Sequence, residues 1–68
     1  MFTIEIKRAG YNVMTVTARP GVTFSSLLRE NNVSYEGASI RFNGSDVSDT
    51  QQINSSGEIR ILKNVKGN

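Results

Sequence analysis

The chain has neither cysteine nor histidine. That removes the thiolate, the commonest general base and the commonest metal ligand. The six acidic residues are scattered, and no spacing among them makes a carboxylate metal site. "FNGSDVSD", from Phe42 to Asp49, places two aspartates near a glycine but lacks the further ligand positions and the closing Glu of a calcium loop. It reads as turn chemistry. No catalytic residue, metal or cofactor is therefore expected. The stretch with chemical potential is the last one, "GEIRILKNVKGN", Gly57 to Asn68. A strand-like run leads into a short polar tail of Val65, Lys66, Gly67 and Asn68, with a glycine one place from the terminal carboxylate.

A second candidate is a surface. If each extended segment alternates, Lys7, Arg41, Arg60 and Leu62 point to one side of a sheet, with Val13 near them. An apolar side chain among arginines suits a protein contact, because guanidinium groups offer both stacking area and a forked set of donors. An ordinary solvated sheet face carries the same residue types.

These residues need a scaffold. Sixty-eight residues make one small domain, and a chain of this size buries only about 60% of its unfolded surface. "FTIEIK" alternates Phe2, Ile4 and Ile6 against Thr3, Glu5 and Lys7, the period of a half-buried strand. Gly10 turns the chain. "VMTVTA" is β-branched and reads as a second strand, with Met14, Val16 and Ala18 inward and Val13, Thr15 and Thr17 outward. Pro20 and Gly21 break the pattern.

"VTFSSLLRENN" is the clearest local signal. Thr23 is the expected N-cap, with Val22 and Leu27 placed as a hydrophobic staple. Phe24, Leu27 and Leu28 share an apolar face, and Asn31 or Asn32 can end the helix in the left-handed conformation. "SIRF" reads as a third strand with Ile40 and Phe42 inward. Asn43-Gly44 is a tight-turn dipeptide leading to a very short strand at Asp46 to Ser48. Ile53 is the one apolar anchor of the polar stretch that follows. "EIRILK" is the last strand, with Ile59 and Ile61 on one face and Glu58, Arg60 and Leu62 on the other. The fold class is α+β, with one helix packed on a mixed sheet: residues 1–63 form the domain and 64–68 a flexible tail.

The order β-β-α-β-β(-β) resembles the ubiquitin-like β-grasp family, and within it the ThiS and MoaD sulfur carriers. The resemblance spans nearly the whole chain. It rests on the opening hairpin, on "GVTFSSLL" at the helix start, on "IRFNGSDV" and on "GEIRILKNVKGN". It implies a protein that is a substrate rather than an enzyme. In such carriers the C-terminal glycine carboxylate is adenylated by an E1-like ATP-dependent activating enzyme and then becomes a thiocarboxylate. Val65 falls where the tail of the family often has an apolar residue. Of the terminal Gly-Gly only Gly67 carries over, because Asn68 occupies the last position and Lys66 lies beside the glycine. The expectation is a ubiquitin-like interaction module with a protein partner, related to the carriers but neither conjugated nor thiocarboxylated. The alternative is a working sulfur carrier for thiamin, molybdopterin or a related pathway.

Other partners are disfavoured. The formal net charge is only +2, and Tyr11 and Tyr35 fall in loops rather than on a sheet where bases could stack. No apolar run approaches the ~20 residues of a membrane span, and "MFTIEIKRAG" lacks the features of a signal peptide. The expected location is the cytoplasm.

Overall fold

The computed structural model describes residues 1–63. The elements are β1 (Phe2–Arg8), β2 (Met14–Ala18), α1 (Phe24–Glu30), β3 (Ala38–Phe42), β4 (Ser45–Val47) and β5 (Gly57–Lys63). Each lies within a residue or two of its expected position. The five strands form one sheet in the order β2-β1-β5-β3-β4. β1 and β5 run parallel at its centre, with Ile6 opposite Ile59 and Lys7 opposite Arg60. The other neighbours are antiparallel. The expected tail, residues 64–68 with Val65, Lys66, Gly67 and Asn68, lies outside the described residues.

The helix is seven residues long, too short to persist alone, so its ends and its packing must hold it. Thr23 is the N-cap, with extended backbone (φ −84°, ψ 159°) and a hydroxyl that accepts from the Ser26 N–H. The N–H groups of Phe24 and Ser25 donate to the carbonyls of Gln51 and Asp49. The three donors at the head of the helix, which have no partner within it, are thus satisfied, two of them by the 48–53 loop. This explains why Ser26 can stand where a capping box would need Glu or Gln.

At the other end Asn32, not Asn31, takes the left-handed conformation (φ 58°). Its N–H donates to the Arg29 carbonyl, and that of Val33 to the Leu28 carbonyl at 2.8 Å. That is the Schellman arrangement, completed by the burial of both Leu28 and Val33.

Phe24, Leu27 and Leu28 pack with Ile4, Ile6, Ala18, Val33, Ile40, Ile53, Ile59 and Ile61 in one core. Phe24 meets Phe42 edge to face, with ring centroids 5.2 Å apart. Ile53 is the anchor its isolation in a polar stretch suggested. It is fully buried and exchanges main-chain hydrogen bonds with Gly21 and Val22. The inner face of β2 departs from expectation at one end. Met14 has the register of an inward residue, opposite Ile6, yet it is 36% exposed because it begins an edge strand. Val13 precedes β2 rather than opening it.

Candidate functional site

The helix covers one face of the sheet and leaves the other open. On the open face the register aligns Lys7, Arg60, Arg41 and Asp46 in one row across β1, β5, β3 and β4. Leu62 stands two residues beyond Arg60 on the central strand, opposite Ser39. Strand alternation thus brings all four expected residues, Lys7, Arg41, Arg60 and Leu62, to one surface. Leu62 is 37% exposed and Val13 is 54% exposed. Both line a shallow depression with Lys7, Arg60 and Tyr11. Arg41 does not reach that depression, being one strand further along the row.

The cations on this face are paired with carboxylates. Glu58 sits between Lys7 and Arg60 and pairs with both, the Arg60 Nη2 lying 3.7 Å from Oε2. The Lys7 ammonium beside Glu58 is the chief cause holding its carboxyl below the ordinary value, with Arg60 adding to it and partial burial opposing it. The Arg41 Nε donates to Asp46 Oδ1 at 3.0 Å. With Glu5 opposite Glu58 on β1, three carboxylates balance three cations. Sequence alternation had placed Glu58 on this face without assigning it a role. The missing information was the parallel pairing of β1 with β5, which brings Lys7 alongside.

Gly57 and Glu58 are held from the far side by the β3–β4 turn. Asn43 (φ 52°) and Gly44 (φ 86°) are both left-handed, as a two-residue hairpin loop requires. Glu58 donates its N–H to Asn43 Oδ1 at 3.0 Å, and Asn43 donates its own N–H to the Glu58 carbonyl at 2.9 Å.

At the opposite end of the sheet the Arg8 guanidinium lies 3.7 Å from the centre of the exposed Tyr11 ring. Arg8 was not singled out in the sequence, because its partner lies across a turn. Tyr35 donates to Asp49 Oδ2 at 2.9 Å. Burial first, and Asp49 second, push its phenol above the ordinary value. Among the described residues no three Asp or Glu side chains come close enough to hold a metal ion, and no helix is long and apolar enough to cross a membrane.

No protein-family model matches this sequence, and no curated protein matches it by sequence. Solved structures do match the fold. SAMP1 from Haloferax volcanii superposes with a TM-score of 0.71 at 15% identity, covering 97% of this chain and 99% of that one. A Caldiarchaeum subterraneum ubiquitin gives 0.68 at 13% identity, covering 98% of both. The UBL domain of Plasmodium falciparum Dsk2 gives 0.62 at 17%, covering 88% of this chain and 96% of that one. The chain has the ubiquitin-like β-grasp fold. Among the described residues, one helix packs on a mixed five-stranded sheet, an α+β arrangement.

Proposed function

We propose that this chain is a protein-interaction module that presents the open face of its sheet, rather than an enzyme. One observation carries the reading. Leu62 and Val13, both exposed, share a depression with Lys7 and Arg60. An apolar centre with polar flanks is the usual anatomy of a protein contact, and a few anchor residues there hold most of the affinity. The fitting partner inserts an apolar side chain beside Leu62 and offers a carboxylate to Arg60 and Arg41. Residues 1–63 act as the binding domain, and a cytoplasmic partner suits a chain without cysteine.

The test uses a partner recovered from extract on the immobilised chain. Leu62→Ala, and separately Arg41→Glu with Arg60→Glu, should each weaken that partner about tenfold or more while circular dichroism stays unchanged. Added salt should weaken the native complex, since exposed charges are screened within roughly 8–10 Å. Undiminished binding by both variants places the contact elsewhere.

A second reading is a sulfur carrier of the ThiS/MoaD type, partnered by an E1-like ATP-dependent activating enzyme. It is supported by β5, the last described strand, which runs between β1 and β3 at the centre of the sheet. The side chain of Asn68 needs room where a glycine would need none. ATP–pyrophosphate exchange with the chain and with its Asn68→Gly variant separates the readings. Fast exchange by the unaltered chain, with no gain from Asn68→Gly, supports the carrier and counts against the interaction module.

A further inference from the structure

The two edges of the sheet are not equivalent. β4 is three residues long and carries Asp46, which is tied to Arg41. Short length and a charge are the usual devices that stop an edge from pairing with another chain. β2, Met-Thr-Val-Thr-Ala, has neither a charge nor a proline in its five residues.

The direction of its free groups follows from β1. The Thr3 N–H donates to Ser56 Oγ at 3.0 Å, on the β5 side of the strand. Main-chain groups alternate along a strand, so Thr3, Glu5 and Lys7 point toward β5, while Phe2, Ile4 and Ile6 point toward β2. Their register partners Ala18, Val16 and Met14 therefore face β1. Thr15 and Thr17 turn their N–H and C=O groups outward, where among the described residues the sheet has no further strand.

We infer that β2 pairs with β2 of a second copy, antiparallel about a two-fold axis at Val16, to make one continuous sheet. The strand is self-complementary in that register. Thr15 meets the partner's Thr17, and each such pair exchanges both N–H···O bonds in the closely spaced arrangement. Threonine opposite threonine is a favourable cross-strand pair on the outer face. On the inner face the long, half-exposed Met14 meets the small, buried Ala18 of the partner subunit, and Val16 meets its own copy. Arg19 falls opposite the partner's Val13, so no like charges oppose one another. An isologous contact of this kind closes at two copies. The contact uses the edge of the sheet, touches the open-face depression only at Val13 and leaves Leu62, Lys7 and Arg60 free, so it does not depend on the function proposed above.

The interface is small, below about 1,200 Å², the class of weak contacts. Sedimentation equilibrium from about 10 µM to about 1 mM covers the corresponding range of affinities. The weight-average mass should rise from 7.5 kDa toward twice that value. Thr15→Lys with Thr17→Lys puts like charges opposite each other at both pairs and should lower association about tenfold or more. Thr15→Lys with Thr17→Glu puts opposite charges there in this register and should restore it. A chain that stays at monomer mass at 1 mM overturns the inference. So does equal association by the two double variants. Amide shifts that move with concentration at Arg60 and Leu62, instead of at Thr15 and Thr17, would place self-association on the open face and overturn it too. Shifts at Thr15 and Thr17 that come only with a different protein would assign the edge to that protein and not to a second copy.

Discussion

Asn43 and Glu58 exchange hydrogen bonds across the seam between the β3–β4 turn and the central strand: Glu58 N–H to Asn43 Oδ1 at 3.0 Å, and Asn43 N–H to the Glu58 carbonyl at 2.9 Å. The amide of Asn43 lies so close over Gly57 that a Cβ there would overlap it. Asn43 thus shapes the turn through its left-handed backbone and fixes the start of β5 through its side chain. The Gly57-Glu58 pair that opens β5 then has a physical reason. Gly57 leaves room for the amide, and Glu58 offers it an N–H.

That packing predicts a coupled pair. Gly57→Ala should destabilise the fold by about 1–3 kcal/mol, the usual cost of overfilling a packed site. Asn43→Gly keeps the left-handed turn but loses the side-chain bond, costing about 1 kcal/mol. In that background Gly57→Ala should cost clearly less, because the colliding amide is gone. Urea unfolding of the four proteins in the cycle measures the coupling, and strict additivity would contradict it.

Leu27 is 2% exposed at the centre of the core. Leu27→Ala should cost about 2–5 kcal/mol, as removing a buried leucine does. A domain this small holds little more than that in total. The variant should therefore be largely unfolded at room temperature by circular dichroism. A loss of only a few tenths of a kcal/mol would mean that α1 does not seat Leu27 on the sheet.

The helix cap gives a smaller and more specific effect. Thr23→Ala removes the acceptor for the Ser26 N–H and should cost about 1 kcal/mol, while Thr23→Ser should keep most of the stability. Equal losses for the two would show that the methyl group of Thr23, rather than its hydroxyl, sets the effect.

Glu58 sets a pH dependence. Its carboxyl titrates below the ordinary value of 4.5 when folded, chiefly through the bond to Lys7. A depressed folded pKa stabilises the protein above the unfolded pKa, and that stabilisation is lost as pH falls through the folded one. Carboxyl chemical shifts should place the Glu58 midpoint below 4.5. Lys7→Ala should raise the midpoint more than Arg60→Ala does. A midpoint unmoved by Lys7→Ala would mean that the pair is not formed in solution.

Much of the fold was legible because its signals are local. Thr23 and Leu27 announce a helix through a hydroxyl at the cap and the spacing of one apolar face. Asn43-Gly44 announces a hairpin because two consecutive left-handed residues are cheap only for such a pair. Period-two alternation assigned Ile4, Ile6, Ile59 and Ile61 to the core and Lys7, Arg41, Arg60 and Leu62 to the opposite face. Alternation tells which side a residue takes, since it depends only on the geometry of its own strand. It does not tell which strand lies alongside.

That second question belongs to the tertiary structure. Only the parallel pairing of β1 with β5 brings Lys7 to Glu58 and turns a row of cations into a balanced network. Only the sheet order leaves β2 at an unguarded edge, with Met14 half exposed. The helix head shows the same division: Thr23 was readable as its cap, but the carbonyls of Asp49 and Gln51 that complete it come from a loop more than twenty residues away. A residue's own conformational preferences are written in its type and its near neighbours. Which charges, carbonyls and edges it meets depends on how distant segments close around one core, and that closure is a property of the whole chain.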